Sequence, residues 1–400
     1  MELSLKLSNK KIVKLDKGVF TRLLDIAHIK EYKAYVDANN TNEITFKKLK
    51  ELAVKSGVPY PLFFASKSVA DFQIKNKDQN LYNKIPSKEE LKLSTRGKVS
   101  ITDIELIVKD LGRKQEFLKS RILPLSEQNK FVGSLISQLK ENSSYEVIAS
   151  QIRDYFNIEL EKLRSMSKEK VLGYITSCIE QKDILVSFSS YNYMPQNIDP
   201  NLALSGICIR DKKFPYIFIN TRDGDEKPKI IESTGRQIFT LLSMIVCIGL
   251  GKFVISTKSG GPKEDTAKHC YAIAAEIIIP KKDLDFAVKN LDELKEKAHF
   301  FRITPSMLLY QLQQYKKIRV GLANHFRIQL KEETDNALTK PRHAPLPSTA
   351  YAKYNGTRFS KEIIKAFRSG LISQVEVKNV LFRHGKMDNA LFNDYTRKYK

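Results

Sequence analysis

The sequence predicts an α+β chain, mainly helical with one small antiparallel sheet, on three observations. Two alternating runs, SGICIR and FPYIFIN, flank a turn at Asp211 to Lys213, and ILVSFS (Ile184 to Ser189) precedes them with the same β-branched, apolar character. Helical periodicity dominates the chain up to about residue 165 and returns after the strands. Between Arg236 and Lys252 there is no charge at all, in a protein in which 28% of residues are charged. Such a dry span reads as a buried helix, because it is too short to cross a bilayer.

The elements follow in order. ITFKKLKELAVKSG places Ile44, Leu49, Leu52 and Ala53 near one helical face and ends at Gly57. Pro59 and Pro61 stop that helix, and residues 72 to 98 read as a polar, aperiodic loop. Helices return with ITDIELIVKDLGRKQEFLKSRIL, and Ser143 to Glu146 forms a capping box opening EVIASQIRDYF. After the strands come the dry helix, TAKHCYAIAAEIII stopped by Pro280, and KKDLDFAVKNLDELKEKAHF. Prolines 341, 345 and 347 mark residues 334 to 357 as a linker, followed by two short helices, SKEIIKAFRSG and SQVEVKNVLFRHG. The second opens with a capping box from Ser373 to Glu376. Three regions are expected: 1–98, helical; 99–333, the α+β core; and 334–400, linker and basic tail.

Composition narrows the function classes. The N-terminal segment lacks the apolar core of a secretion signal, and no run is long enough to span a membrane, so a cytoplasmic protein is expected. Cys178, Cys208, Cys247 and Cys270 sit singly in apolar segments, as buried reduced thiols do. The formal charge is +23, and residues 301–400 hold 19 basic against 7 acidic side chains. That balance favours polyanionic partners and equally fits a solvated lysine-rich surface.

Four segments taken together, YIFINTRDGD, RQIFTLLSMIVCIGLGK, CYAIAAEIIIP and FRITPSMLLYQLQQYKKI, resemble the ImmA/IrrE family of zinc metallopeptidases in order, spacing and residue type. Arg236, Phe239, Thr240 and Leu241 match the family's R-x-x-F-T-L before its H-E-x-x-H, and Ala274, Ala275 and Pro280 match the end of the next helix. The flanks resemble the family too, in ITFKKLKELAVKSGVPYPLFF and in FSKEIIKAFRSGLISQVEVKNVLF. Residues 1 to 40 depart from it: they lack the first half of a DNA-reading helix-turn-helix, which leaves Lys47, Lys48 and Lys50 as an exposed face. The resemblance implies a zincin-like core flanked by helical regions.

The family's catalytic chemistry is replaced. Residue on residue, the first histidine falls on Ser243, the glutamate on Met244, the second histidine on Cys247 and the third ligand on His269. Serine is a poor zinc ligand and methionine cannot act as a general base, so no catalytic residue and no zinc cofactor are expected. A rebuilt metal site would use Cys247, His269 and Cys270, and a rebuilt hydrolase would use Ser243 near His269. Against the second, a hydroxyl on a dry helix bonds back to the carbonyl of residue i−4.

The resemblance implies a catalytically degenerate regulator that binds a protein partner, an Xre-type DNA-binding regulator of a mobile-element, phage or toxin–antitoxin system. Its partner would add a strand at Phe214, Tyr216, Phe218 and Asn220. The alternative is nucleic-acid binding through Lys316, Lys317, Arg319, Arg327, Arg358, Lys361, Lys365 and Arg368, with Tyr315 or Tyr351 stacking on bases.

Overall fold

The computed structural model describes residues 2–7, 11–24, 29, 32–56, 58–73, 104–141, 143–198, 202, 204–221, 233–252, 254–257, 265–336, 346–384 and 387–399. The loop expected at 72–98 and the centre of the expected linker therefore fall mostly outside the described residues. The chain divides into two compact units, one of Met1–Ser87, Val99–Gly112 and Met194–Asp199, the other of Lys88–Lys98, Arg113–Tyr193 and Pro200–Lys400. Residues beyond 334 belong to the second unit with the core, where the sequence suggested a separate tail.

The first unit adds a sheet to the helical N-terminal region that the sequence predicts. Strands β1 (Glu2–Lys6), β2 (Ile12–Asp16) and β3 (Glu43–Thr45) form a sheet in the order β2-β1-β3, antiparallel on one side and parallel on the other. The alternation of Leu3 and Leu5 with polar neighbours gives β1 one dry face. Helices α1 (Lys17–Leu23), α2 (Lys33–Thr41) and α3 (Phe46–Ser56) belong to the same unit. Helix α3 starts two residues later than expected, because Ile44 is a buried strand residue in β3. Leu49, Leu52 and Ala53 are its buried face, as their spacing requires. Lys48 pairs with Asp37, and Lys50 lies over the Phe46 ring.

Helix α4 (Glu105–Phe117) is divided between the units at Gly112. The second unit continues with α5 (Ile136–Lys140), α6 (Tyr145–Phe156), α7 (Leu160–Ser165) and α8 (Lys168–Glu180). Helix α6 is capped by Ser144, which accepts from Val147 N at 3.3 Å, one residue beyond the expected box. Glu146 pairs with Lys281 instead of returning to the cap.

The sheet of the second unit contains β4 (Leu185–Phe188), β5 (Leu204–Ile209), β6 (Tyr216–Ile219) and β7 (Val254–Thr257), in the order β4-β6-β5-β7. The hairpin β5–β6 is as expected, and Asp211 shapes its turn by accepting from Lys213 N and Phe214 N, both at 2.8 Å. The sheet is mixed, not antiparallel: β4 lies beside β6 and runs parallel to it, because the hairpin places β6 between its two predecessors.

Helices α9 (Thr234–Gly249) and α10 (Asp265–Ile278) form the centre of the unit, α9 packing on β5, β6, α8 and α10. A Cβ at Gly206 would sit 2.9 Å from Phe218 O and 3.1 Å from the Thr240 methyl, so glycine lets α9 lie close on β5. Beyond Pro280, KKDLDFAVKN holds only a short 3₁₀ turn, and the helix α11 is Leu291–Phe300. Then come α12 (Pro305–Gln314), α13 (Val320–Asn336), α14 (Pro347–Asn355), α15 (Thr357–Arg368), α16 (Gln374–Leu381) and α17 (Asn389–Arg397). Helix α14 lies within the expected linker: Pro347 takes the first helical turn, where a missing N–H costs nothing, and Ala350, Tyr351 and Tyr354 are buried. The capping box of α16 is present as expected.

Candidate functional site

Ser233 caps α9, and from Gln237 to Gly249 every side chain except Phe239 is buried. The hydroxyl of Ser243 donates to Phe239 O at 2.8 Å, the bond back to residue i−4 expected on a dry helix. Met244 and Cys247 are wholly buried. Their apolar or weakly polar groups need no partner, which is why the charge-free run can lie at the core.

Helix α10 brings Cys270 against α9, with its Sγ 3.7 Å from that of Cys247. The bond that Cys247 donates to Cys270, with burial, raises the Cys247 thiol well above its ordinary value, and burial raises that of Cys208 on β5. His269 precedes Cys270 by one residue, about 100° round the helix, and turns toward α6. Its Nδ1 lies 2.7 Å from Tyr145 Oη, with the rings edge to face at 5.7 Å.

These groups do not fit zinc. The Ser243 hydroxyl is committed to the backbone, Met244 has no basic atom, Cys247 lies in the core against Cys270, and the imidazole is bonded to a phenol. The three candidates for a rebuilt metal site divide into a thiol pair, Cys247 and Cys270, and a histidine facing another helix. Among the described residues, no group of three His, Cys, Asp or Glu is placed to hold a metal ion. Ser243 Oγ bonds Phe239 O and His269 Nδ1 faces Tyr145 Oη, so these two atoms are not joined as a nucleophile and base.

Around His269 the surface is aromatic. Phe239 and Tyr271 meet edge to face at 5.1 Å, and Tyr310 on α12 stands near Tyr145 and Tyr271. Burial, with those neighbours, pushes the Tyr310 phenol up to about 12. All five side chains are half-buried.

Next to this patch lies a buried carboxylate that the sequence reading missed. Glu276 accepts from Lys281 N at 2.8 Å, Gln311 Nε2 at 3.0 Å and Tyr315 Oη at 2.7 Å. Burial raises its pKa despite these bonds. Arg153 donates to Glu276 O and Ile277 O, and Arg164 to Ile278 O at 2.6 Å, so two guanidinium groups satisfy the open carbonyls ending α10. The signal was a single acid in the apolar run AIAAEIIIP.

The expected partner-binding strand is corrected. Phe214, Tyr216, Phe218 and Asn220 are buried, and β6 is paired on both sides, by β4 and β5. A central strand has no free row of backbone groups to offer. Tyr216 Oη instead donates to Asn355 O at 3.4 Å and Asn220 Nδ2 to Leu204 O at 3.0 Å.

The basic residues divide into two groups. Lys316, Lys317 and Arg319 are exposed between α12 and α13, and Arg327 is exposed on α13. Lys317 lies 3.5 Å from Asp285, and Arg327 bonds Gln313 and Asn324. Lys361, Lys365 and Arg368 form one exposed stripe on α15, while Arg358 is held by Asp183 and Glu362, both at 2.8 Å. Helix α13 packs on α12, whereas α15 packs on α8, α14, α16 and β4. Tyr351 is only 1% exposed, so its ring is not free to stack on bases as expected, while Tyr315 is half-buried with its hydroxyl committed to Glu276.

Comparison with models of protein families, with curated proteins and with solved structures finds no match to this chain. No described helix is long and apolar enough to cross a membrane.

Proposed function

We propose that the chain is a cytoplasmic regulator built on a zincin-like, ImmA/IrrE-type scaffold that has given up hydrolysis and binds a protein partner, an Xre-type DNA-binding regulator. The observation that supports this reading is the state of the four positions where that family keeps its chemistry. Met244 and Cys247 pack as core, Ser243 bonds its own helix and His269 bonds Tyr145. The half-buried patch of Tyr145, Phe239, His269, Tyr271 and Tyr310 is the contact surface. Tyrosine supplies large, stiff contact area with a polar tip, which suits recognition of a polypeptide better than of a small apolar ligand.

The test combines calorimetric titration of an Xre-type regulator with mass spectrometry of the mixture. Binding without cleavage, weakened in Tyr271→Ala and Tyr310→Ala, is the expected result. Cleavage that a chelator abolishes, together with one zinc per chain by elemental analysis, overturns it.

A second reading, polyanion binding, rests on the stripe of Lys361, Lys365 and Arg368 on the solvent face of α15, opposite the buried Phe359, Ile363 and Ile364. It is compatible with the first.

A further inference from the structure

We propose that a polar cleft of about 360 Å³ in the second unit, between the end of α8, the β5–β6 turn, residues 123–130 and the start of α15, binds a small phosphate-bearing ligand. Its volume lies at the small end of the range for ligand sites, about 300–1,000 Å³. The proposal does not depend on the partner-binding reading.

The walls are tied together. Asn129 N donates to Lys212 O and Asn129 Nδ2 to Lys182 O, both at 2.7 Å, while Asn129 Oδ1 accepts from Phe131 N at 3.0 Å. One asparagine thus holds the loop to the hairpin turn and to the end of α8. Lys119 braces the same turn through Asp211 at 2.6 Å. The backbone of the cleft is held by tertiary contacts.

Its charge balance decides the ligand class. Four cations line it: Lys130, Lys182, Lys213 and Arg358. Two carboxylates, Glu127 and Asp183, line it as well. Asp183 is taken up by Arg358, whose Nη2 and Nε lie 2.8 and 3.2 Å from one oxygen. The ammonium of Lys213 rests on a neutral group, Pro124 O, at 3.1 Å, and that of Lys182 on the Tyr155 ring at 5.0 Å from its centre. Lys130 is exposed. Three lysines therefore face one remaining carboxylate, Glu127, and the surplus is positive.

Ammonium groups on flexible stems act as point charges for phosphate oxygens and can leave a carbonyl or a ring to reach them. The Tyr155 ring vacated by Lys182, with Gln128 and Gln181 beside it, can receive an organic group attached to the phosphate. A single nucleotide has this combination of anion, planar ring and amide-matching edge.

The test uses the full chain in low salt, with inorganic phosphate, adenosine, adenosine monophosphate and a single-stranded oligonucleotide as calorimetric probes. Saturable binding of the monophosphate and none of adenosine is expected. Equal affinity for inorganic phosphate assigns the cleft to free phosphate, and tighter binding of the nucleotide assigns it to the nucleoside-bearing form; both support the proposal. Lys182→Gln with Lys213→Gln should weaken binding at least about tenfold, as loss of charged hydrogen bonds does. Lys130→Ala is the second variant, since an exposed side chain can be removed without disturbing the fold. Lys47→Glu, on the exposed face of α3 in the first unit, should leave monophosphate binding unchanged. Absence of any phosphate binding overturns the proposal, as does binding that survives the cleft variants, or that Lys47→Glu abolishes, or that only the oligonucleotide shows.

Discussion

Glu180 ends α8 with its carboxyl group buried against the first turn of α15, where Oε1 accepts Arg358 N at 3.0 Å. Burial pushes its pKa up to about 7, although the amides of Arg358 and Thr357 and the charges of Lys361 and Arg358 work the other way. The folded chain therefore holds this proton more tightly than the unfolded chain, in which the group titrates at 4.5. Its contribution to stability is full below pH 4.5, declines as pH rises and is gone above about 7, a change on the order of 3 kcal/mol. Glu180→Gln keeps an oxygen to accept from Arg358 and cannot titrate. Denaturant midpoints across that pH range should fall with rising pH in the parent and less steeply in the variant; equal slopes would refute the assignment. Such a residue is hard to find in a sequence. Nothing in SCIEQKD says that Glu180 is buried 178 residues before the helix it caps, or that Gly356 must be glycine. At Gly356 the backbone has φ +78° and a Cβ would lie 2.1 Å from Val186 O.

At the scale of elements, what depends on local pattern was legible and what depends on distant pairing was not. The dry run of α9, the β5–β6 hairpin, the halt at Pro280 and the box at Ser373 each follow from neighbouring residues. The place of β4 beside β6 depends on a partner 31 residues away, and it removed the open edge expected at Phe218. The alternation in β1 and β2 is legible, but their sheet also needs β3, which lies beyond two helices. For the site, Ser243, Met244, Cys247 and His269 were placed on the right two helices, whereas the turn of His269 toward Tyr145 needed the position of α6. If α9 and α10 carry the proposed peptidase frame, restoring its ligand positions has a testable outcome. The combined change Ser243→His, Met244→Glu, Cys247→His and His269→Glu would bury new polar groups without partners, lowering the melting temperature of the metal-free protein. Zinc should then bind and restore it if the carboxylate introduced at position 269, released from the bond to Tyr145, turns to face α9, because a ligand specific to the folded state stabilises that state. A destabilised variant that zinc neither binds nor rescues would show that α9 and α10 lack the frame.

At the scale of the molecule, each unit has an apolar core of its own, and the surface carries a formal charge of +23. Net charge attracts any polyanion weakly, so binding alone cannot distinguish a built face from a general field. Position can. Lys361 and Lys365 lie one turn apart on α15, beside Arg368, whereas Lys316 and Arg319 lie in the turn leading to α13. Replacing either pair by glutamate removes the same formal charge. Should the α15 stripe grip duplex DNA, Lys361→Glu with Lys365→Glu would flatten the plot of log affinity against log salt by about 0.9 for each phosphate no longer neutralised, about 2 in all. Lys316→Glu with Arg319→Glu would shift affinity slightly and leave that slope in place. Fluorescence anisotropy over a range of salt gives both slopes. Two variants with the same slope would mean that the field of the whole surface, and not the stripe, attracts the nucleic acid.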